Sequence, residues 1–232
     1  MGISAFQKHR ERVLKQKAAE QLRAPATTAP AVDPADYEQF EALQYAMRQD
    51  VTAVANTPRE ERKAKKAERV EHYRDHVETY IESGEVYANP VLTQVIIWLF
   101  DLGQIAAALK YAEVAIAQNQ AMPLLANGQK YKRNLTTTVA DEVLAWAEAA
   151  AKDGNSVEPY FSDTREKLEA WTVPNVVKMK YAKFAGLQAY ATEDWKTAEK
   201  ELAAAEGFAD SNNPAKVKTK LENARKKLSE KA

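Results

Sequence analysis

The strongest constraint in this 232-residue sequence is a pair of adjacent helical segments with almost nothing between them. Asn89 and Pro90 supply a helix N-cap and a proline at the first helical position, and the run 90–102 is apolar almost all round. Gly103 ends this run, and small and apolar residues then recur on one face of 104–118. The sequence therefore predicts a tight antiparallel helical hairpin whose first helix lies at the centre of the fold.

A second hairpin is predicted at 184–208, at an offset of 90 residues from the first. Trp195 stands where the first hairpin has Ile105, and Ala198 stands where it has Ala108. Tetratricopeptide arrays repeat about every 34 residues and need about three units to bury a continuous core. Two hairpins this far apart therefore do not form such an array.

The composition favours helix nearly everywhere, since the chain has only 7 glycines and is rich in Ala, Glu, Lys and Leu. We predict an all-α fold: a helical-hairpin bundle with a long oligomerisation helix and flexible basic extensions at both termini. Three prolines in 24–34 and the absence of apolar periodicity there indicate a linker. The predicted domains are a basic helix and linker at 1–35, an assembly body at 36–210 and a basic helix or tail at 211–232.

The predicted oligomerisation helix runs from residue 59 to residue 82 without a helix breaker. Its apolar residues follow the 3-4-3 spacing of a coiled-coil seam, although they cover only two heptads. This stripe predicts self-association through Val70, Tyr73, Val77, Tyr80 and Ile81.

The net charge is zero, but the charges are segregated along the chain. Basic residues outnumber acidic ones by six to two in 1–23, by six to three in 59–69 and by seven to two in 214–232, whereas 70–210 holds thirteen basic and 21 acidic residues. Basic extensions on an acidic body indicate an anionic partner such as nucleic acid.

Two basic segments are the candidate DNA contacts. The N-terminal segment presents Lys8, Arg10, Arg12, Lys15 and Lys17, which would bind a phosphate backbone with little sequence specificity. The second segment presents Arg62, Lys63, Lys65 and Lys66, with Glu60, Glu61 and Glu68 interleaved. A solvated helix face with internal ion pairs is the favoured alternative for the second segment.

Several classes of function are disfavoured. The chain has no cysteine, and it lacks the glycine-rich loops of ATPases and dehydrogenases as well as the G-x-S-x-G motif of hydrolases. The longest apolar run is well short of the roughly 20 residues of a membrane span, and the basic N-terminus has no apolar signal region. We predict no cofactor and no membrane partner.

Two metal hypotheses remain open but are disfavoured. His72 and His76 lie one helical turn apart, which could bring both imidazoles to one metal, but their surroundings are those of a charged exposed face. Asp141 and Glu142 could hold magnesium for a nuclease, but both stand at a predicted helix start, where carboxylates are favoured for local reasons. We therefore predict no metal site and no catalytic residue.

The run 89–123, with the segments that follow it, resembles the small terminase subunit of tailed phages of the P-two type, over about residues 38–210. Four features carry the resemblance: a first hairpin, a Met-Pro pair, the helix that begins near Thr138 and a second hairpin near Glu193. The matching residues of the first hairpin are Trp98, Asp101, Gly103, Ala108 and Leu109. Those of the pair are Met122 and Pro123, and those of the helix are Thr138 and Asp141.

This resemblance implies a protein that binds viral double-stranded DNA, assembles as a ring and delivers the DNA to a large terminase subunit in the cytoplasm of the bacterial host. The ATPase and nuclease are expected on that large subunit, so the name "endonuclease subunit" used in the family is interpreted as an activity of the complex. The basic tail is the candidate contact with the large subunit, through Lys220, Arg225 and Lys226. The main alternative is a peptide-binding helical-repeat adaptor without DNA binding; a third is a nuclease that uses Asp141 or Glu142.

Overall fold

The computed structural model of the chain describes residues 34–123, 126–129 and 131–230. Over these residues the chain forms nine α-helices and no β-strand, which confirms the all-α prediction. The chain divides into two compact units between Leu135 and Thr136, whereas the sequence predicted boundaries near residues 35 and 210. No described helix combines the length and apolar character that a membrane span requires.

Over the described residues, unit one holds four helices and unit two holds five. The helices of unit one are α1 (Pro34–Asn56), α2 (Arg62–Ser83), α3 (Pro90–Leu102) and α4 (Ile105–Ala117). The helices of unit two are α5 (Leu135–Lys152), α6 (Tyr160–Lys167), α7 (Asn175–Ala191), α8 (Trp195–Phe208) and α9 (Lys218–Glu230).

Helix α3 forms the core of unit one, as its apolar sequence predicts. Its side chains at Val91, Leu92 and Leu99 are all fully buried. The Asn89 side chain accepts a hydrogen bond from the Leu92 N–H at 3.0 Å, and Gly103 ends the helix in the left-handed region with φ of 76°. Both ends of this helix therefore depend on local capping residues that are visible in the sequence.

The two hairpins close with the same turn. Gln104 donates its N–H to the Leu99 carbonyl at 2.9 Å, and Asp194, 90 positions later, donates to the Ala189 carbonyl at 2.9 Å. The residue before each donor has positive φ, 76° at Gly103 and 57° at Glu193. Each unit therefore contains one hairpin that ends its first helix with a hydrogen bond typical of the Schellman motif.

The hairpin of unit two also requires a glycine inside its first helix. A Cβ at Gly186 would lie 2.7 Å from Leu202 Cδ2 and 3.0 Å from the Leu202 backbone nitrogen. Because Leu202 is fully buried, it has no free space into which it could move. Helices α7 and α8 therefore approach each other more closely than any other residue type at position 186 would allow.

Two helices begin later than the sequence predicts. Helix α2 begins at Arg62 rather than at residue 59, because residues 58–61 form a turn in which Glu61 donates to the Pro58 carbonyl at 3.0 Å. Asn213 and Pro214 form a sequence signal for a helix start, but helix α9 begins at Lys218, because the intervening segment buries Ala215 and Val217 in the core of unit two. The C-terminal segment therefore packs as part of unit two over residues 218–230, with Leu221 and Ala224 buried, instead of extending away from it.

Candidate functional site

The candidate DNA contacts at the N-terminus lie outside the described residues: Lys8, Arg10, Arg12, Lys15 and Lys17. The linker that follows them also lies outside, up to residue 33. Their assignment stays a prediction from charge.

The second basic segment lies in the first turns of α2, and most of its cations have partners within unit one. The Lys66 ammonium lies 2.6 Å from an Asp101 carboxylate oxygen, and Lys65 pairs with Glu68 at 3.1 Å. The Arg62 guanidinium donates to two carbonyls at the C-terminal end of α1, those of Ala55 and Thr57, at 2.9 and 2.8 Å. A cation at this end of a helix stabilises the carbonyls that have no partner inside it.

Lys63 differs from the other members of this set. Its side chain is exposed and forms no ion pair or hydrogen bond with any residue in the described part of the chain. Lys63 therefore presents an uncompensated positive charge at the start of α2. The arrangement agrees in part with the alternative of a solvated helix face, but the partner of Lys66 lies on α3 and not on α2.

One turn further along α2, two residues hold the partly buried carboxylate of Asp50. The Tyr73 hydroxyl donates to an Asp50 oxygen at 2.8 Å, and the Arg69 Nε lies 3.1 Å from the other oxygen without an angle suitable for a hydrogen bond. Burial and, after it, the hydrogen bond to Asp50 raise the pKa of the Tyr73 hydroxyl. This group therefore stays protonated and donates, joining α1 to α2.

The stripe predicted for oligomerisation faces the core of unit one. Val70, Tyr73, Val77 and Tyr80 are at most 3 % exposed, and only Ile81 is partly exposed. The same 3-4-3 spacing is produced by a coiled-coil seam and by a helix packed inside one chain, and here the second case applies. Because these side chains are already covered, self-association stays a prediction that must use other residues in this fold.

The candidate contacts with the large subunit lie on the exposed side of α9. Arg225 pairs with Glu199 at 3.0 Å, and the Lys220 ammonium lies 4.5 Å from the centre of the Tyr190 ring. The side chain of Lys226 is 75 % exposed and lies 4.0 Å from Glu230. All three cations therefore remain accessible to solvent in unit two.

The metal hypotheses gain no support from the described residues. Over that part of the chain, no group of three His, Cys, Asp or Glu side chains is placed to hold a metal ion. Asp141 pairs with Lys180 at 3.2 Å. The His76 ring stacks on Phe40, with centroids 5.7 Å apart, and burial lowers the pKa of His76, whereas His72 contacts Tyr73.

A buried polar network was missed because it joins residues that are more than 30 positions apart in the chain. Gln120 is 6 % exposed; its amide donates to the Tyr87 carbonyl at 2.6 Å and accepts from the Asn89 N–H at 2.8 Å. Burial raises the pKa of Tyr80 to about 12, so the Tyr80 hydroxyl stays protonated and donates to the Gln118 side chain at 2.7 Å. This network links the end of α4 to the start of α3.

Unit one also contains a cavity of about 240 Å³ between α1, α3 and the loop after α4. The lining residues are Gln44, Met47, Arg48, Val51, Thr52, Pro90, Gln94, Pro123, Ala126 and Gly128. Gln94 is 4 % exposed, and its side chain forms no hydrogen bond to any other residue of unit one that the structure describes. The only signal in the sequence is a glutamine in an otherwise apolar helix.

The family model described as "Phage small terminase subunit" matches residues 44–176. The chain is similar to the "Probable terminase, endonuclease subunit" of Haemophilus phage HP1 (strain HP1c1), with 34 % identity over 155 residues that cover 63 % of this chain and 51 % of the relative. It is also similar to the "Terminase, endonuclease subunit" of Escherichia phage P2, with 28 % identity over 185 residues, 79 % of this chain and 70 % of the relative.

The chain spans about half the length of the HP1 relative. No solved structure matches it. The family match covers the helices from residue 44 in α1 to the first turn of α7. Both basic terminal segments lie outside the matched range.

Proposed function

This chain belongs to the phage small terminase subunit family, and on that premise we propose that it binds viral DNA, assembles with copies of itself as a ring and recruits or regulates the large terminase subunit for genome packaging. The observation that carries this proposal is the family match over residues 44–176. The protein acts in the cytoplasm of the bacterial host. The ATPase and nuclease activities belong to the large subunit, and the name "endonuclease subunit" of the two relatives then describes the complex.

Charge supports the DNA-binding part of the proposal. Residues 1–23 carry six Lys or Arg against two acidic residues, and Lys63 adds an uncompensated charge at the start of α2. Cations that neutralise phosphates release condensed counterions, so binding of this kind is strong at low salt and largely independent of base sequence. The N-terminal segment is therefore proposed as the main duplex-binding element.

Neutralising the N-terminal cations is expected to weaken duplex binding and its dependence on salt. The variant changes Lys8, Arg10, Arg12, Lys15 and Lys17 to glutamine, which removes the charges and keeps the chain length. Since each phosphate contact contributes about 0.9 to the slope of log K against log salt, we expect loss of the five cations to lower the magnitude of the slope by up to about 4.5. Fluorescence anisotropy with a labelled duplex over a series of salt concentrations measures this slope.

The matched control is Lys200→Gln, because Lys200 is an exposed cation on α8 and belongs to neither candidate DNA segment. This control is expected to bind DNA as the unchanged chain does. An unchanged slope in the five-residue variant would contradict the assignment of the N-terminal segment. Binding of large-subunit peptides with no DNA binding at all would instead favour the helical-repeat adaptor.

Removing the exposed cations of α9 is expected to weaken binding to the large subunit. Leu221 and Ala224 face the core of unit two, so Lys220, Arg225 and Lys226 lie on the outward side. Charges at the rim of an interface act mainly on the association rate, and we expect the triple glutamine variant to lower it about tenfold. Surface plasmon resonance with immobilised large subunit measures the rate.

The matched control for this variant changes Lys196 and Lys200 on α8 to glutamine, since both are exposed in the same unit. This control is expected to keep the association rate. Equal rates for the triple variant and the unchanged chain would remove α9 as the proposed contact.

A further inference from the structure

The cavity of unit one has the size of a site for one small group. Its volume of about 240 Å³ is below the range of about 300–1,000 Å³ typical of pockets for drug-sized ligands. Its walls include Met47, Val51, Pro90 and Pro123, which provide apolar surface for a flat or aliphatic group. A single nucleobase or a single side chain fits these dimensions.

Gln94 places a side-chain amide in the wall of the cavity. Its side chain lines the cavity, is 4 % exposed and has no hydrogen-bond partner among the described residues. Among the described residues, the only buried side-chain polar atom without a partner is Arg69 Nε, so the Gln94 amide is open to the cavity and available to a group that enters it. An amide offers a donor and an acceptor side by side, so a ligand with a complementary edge would satisfy both.

One cation, Arg48, lines the cavity, and an exposed aromatic ring lies beside this cation. Arg48 is exposed, and its guanidinium lies 5.9 Å from the centre of the Tyr45 ring. Tyr45 is 60 % exposed. No Asp or Glu is among the residues that line this cavity, so an anionic ligand meets no repulsion from its walls.

We propose that this cavity binds one unpaired nucleobase of a DNA strand. Gln94 pairs with the donor–acceptor edge of the base, as glutamine does with adenine. Arg48 binds the adjacent phosphate, and Tyr45 stacks on a neighbouring base, which is how proteins that bind single strands combine cations and aromatic rings. The inference rests on the proposed function and extends it from phosphate contacts on duplex DNA to a base-binding site for an unpaired strand.

An acidic peptide with one aromatic residue is the competing occupant. Its carboxylate would satisfy Arg48, and its backbone would satisfy Gln94. The exposed Tyr45 favours the nucleic acid, because a strand places a second planar base next to the bound one, where the ring can stack on it.

The test uses the full chain and three labelled probes: a short oligodeoxyadenylate, the same strand with abasic sites, and a duplex. The variants are Gln94→Leu on α3 and Tyr45→Ser on α1. The control is Gln49→Leu, because Gln49 is exposed on α1 and does not line the cavity. Gln94→Leu is expected to weaken oligodeoxyadenylate binding about tenfold, through loss of the paired edge. Tyr45→Ser is expected to weaken it about fivefold or more, through loss of stacking.

Two further readouts separate binding from folding. The Tm of Gln94→Leu is expected to change little, since the amide that leucine replaces forms no hydrogen bond to the described residues. Because Tyr45 is exposed, its replacement does not disturb the core even if Gln94→Leu folds poorly. Binding of the abasic strand and the duplex is expected to be unchanged in both variants.

The proposal is overturned if the oligodeoxyadenylate does not bind, if the abasic strand binds equally well, or if neither variant weakens binding. It is also overturned if an acidic peptide containing phenylalanine binds in a Gln94-dependent way while the oligodeoxyadenylate does not. Failure of the proposed function is a separate result, because it concerns duplex binding and the N-terminal cations.

Discussion

Replacing Val77 by aspartate is expected to unfold unit one. The Val77 side chain is 0 % exposed in the middle of α2, so the new carboxylate would be buried without a partner. An unpaired buried charge costs at least about 4 kcal/mol, which is comparable with the whole stability of a small domain, about 5–15 kcal/mol. Thermal unfolding followed by circular dichroism and native mass spectrometry measure the result.

This experiment separates a core residue from an oligomerisation seam. If Val77 lay in a seam between chains, Val77→Asp would instead give a folded chain of monomer mass, 25.9 kDa. We expect loss of the unit-one transition at every protein concentration. Thr79→Asp is the control, because Thr79 is exposed on the same helix and its replacement is expected to change stability by less than about 0.5 kcal/mol.

Replacing Arg165 by leucine is expected to destabilise unit two by about 3 kcal/mol. Arg165 on α6 donates to Glu201 on α8, and the Glu201 side chain is only 5 % exposed. Without the guanidinium, Glu201 keeps a buried charge that no longer has this partner. Urea unfolding at neutral pH measures the loss as a lower midpoint.

The double variant Arg165→Leu/Glu201→Leu is expected to recover most of this loss, because two apolar side chains replace an ion pair that is costly to desolvate. Arg225→Leu is the control: it breaks a pair in which the Arg225 side chain is 57 % exposed, and such pairs contribute less than about 1 kcal/mol. A small effect of Arg165→Leu would mean that water reaches Glu201 despite its low exposure.

Helix boundaries were predicted well where the signal is local. Asn89, Pro90 and Gly103 are the caps of α3, and each acts on backbone groups within one turn. The start of α9 was not predicted, because the capping signal at Asn213 and Pro214 competes with the burial of Ala215 and Val217. A local pattern does not contain the free energy of contacts made with a distant segment.

The candidate sites also depend on contacts between segments that are far apart in the chain. The sequence identifies Lys66 as a cation in a basic run, but Asp101, its partner, stands 35 residues away on another helix. Gln94 is visible as a polar residue in an apolar helix, but neither its lack of a partner nor the cavity beside it can be read from neighbouring residues.

Capping, propensity and composition depend on residues close together in the chain, and they are enough to predict the helical character of this chain, the two ends of α3 and the basic segments. Burial and pairing instead depend on contacts between distant segments. The structure is therefore needed to show that Val77 lies in a core and not in an exposed seam, that Lys66 is already paired and that Gln94 faces a cavity. The same amphipathic stripe or cation has a different role according to which distant residues pack against it.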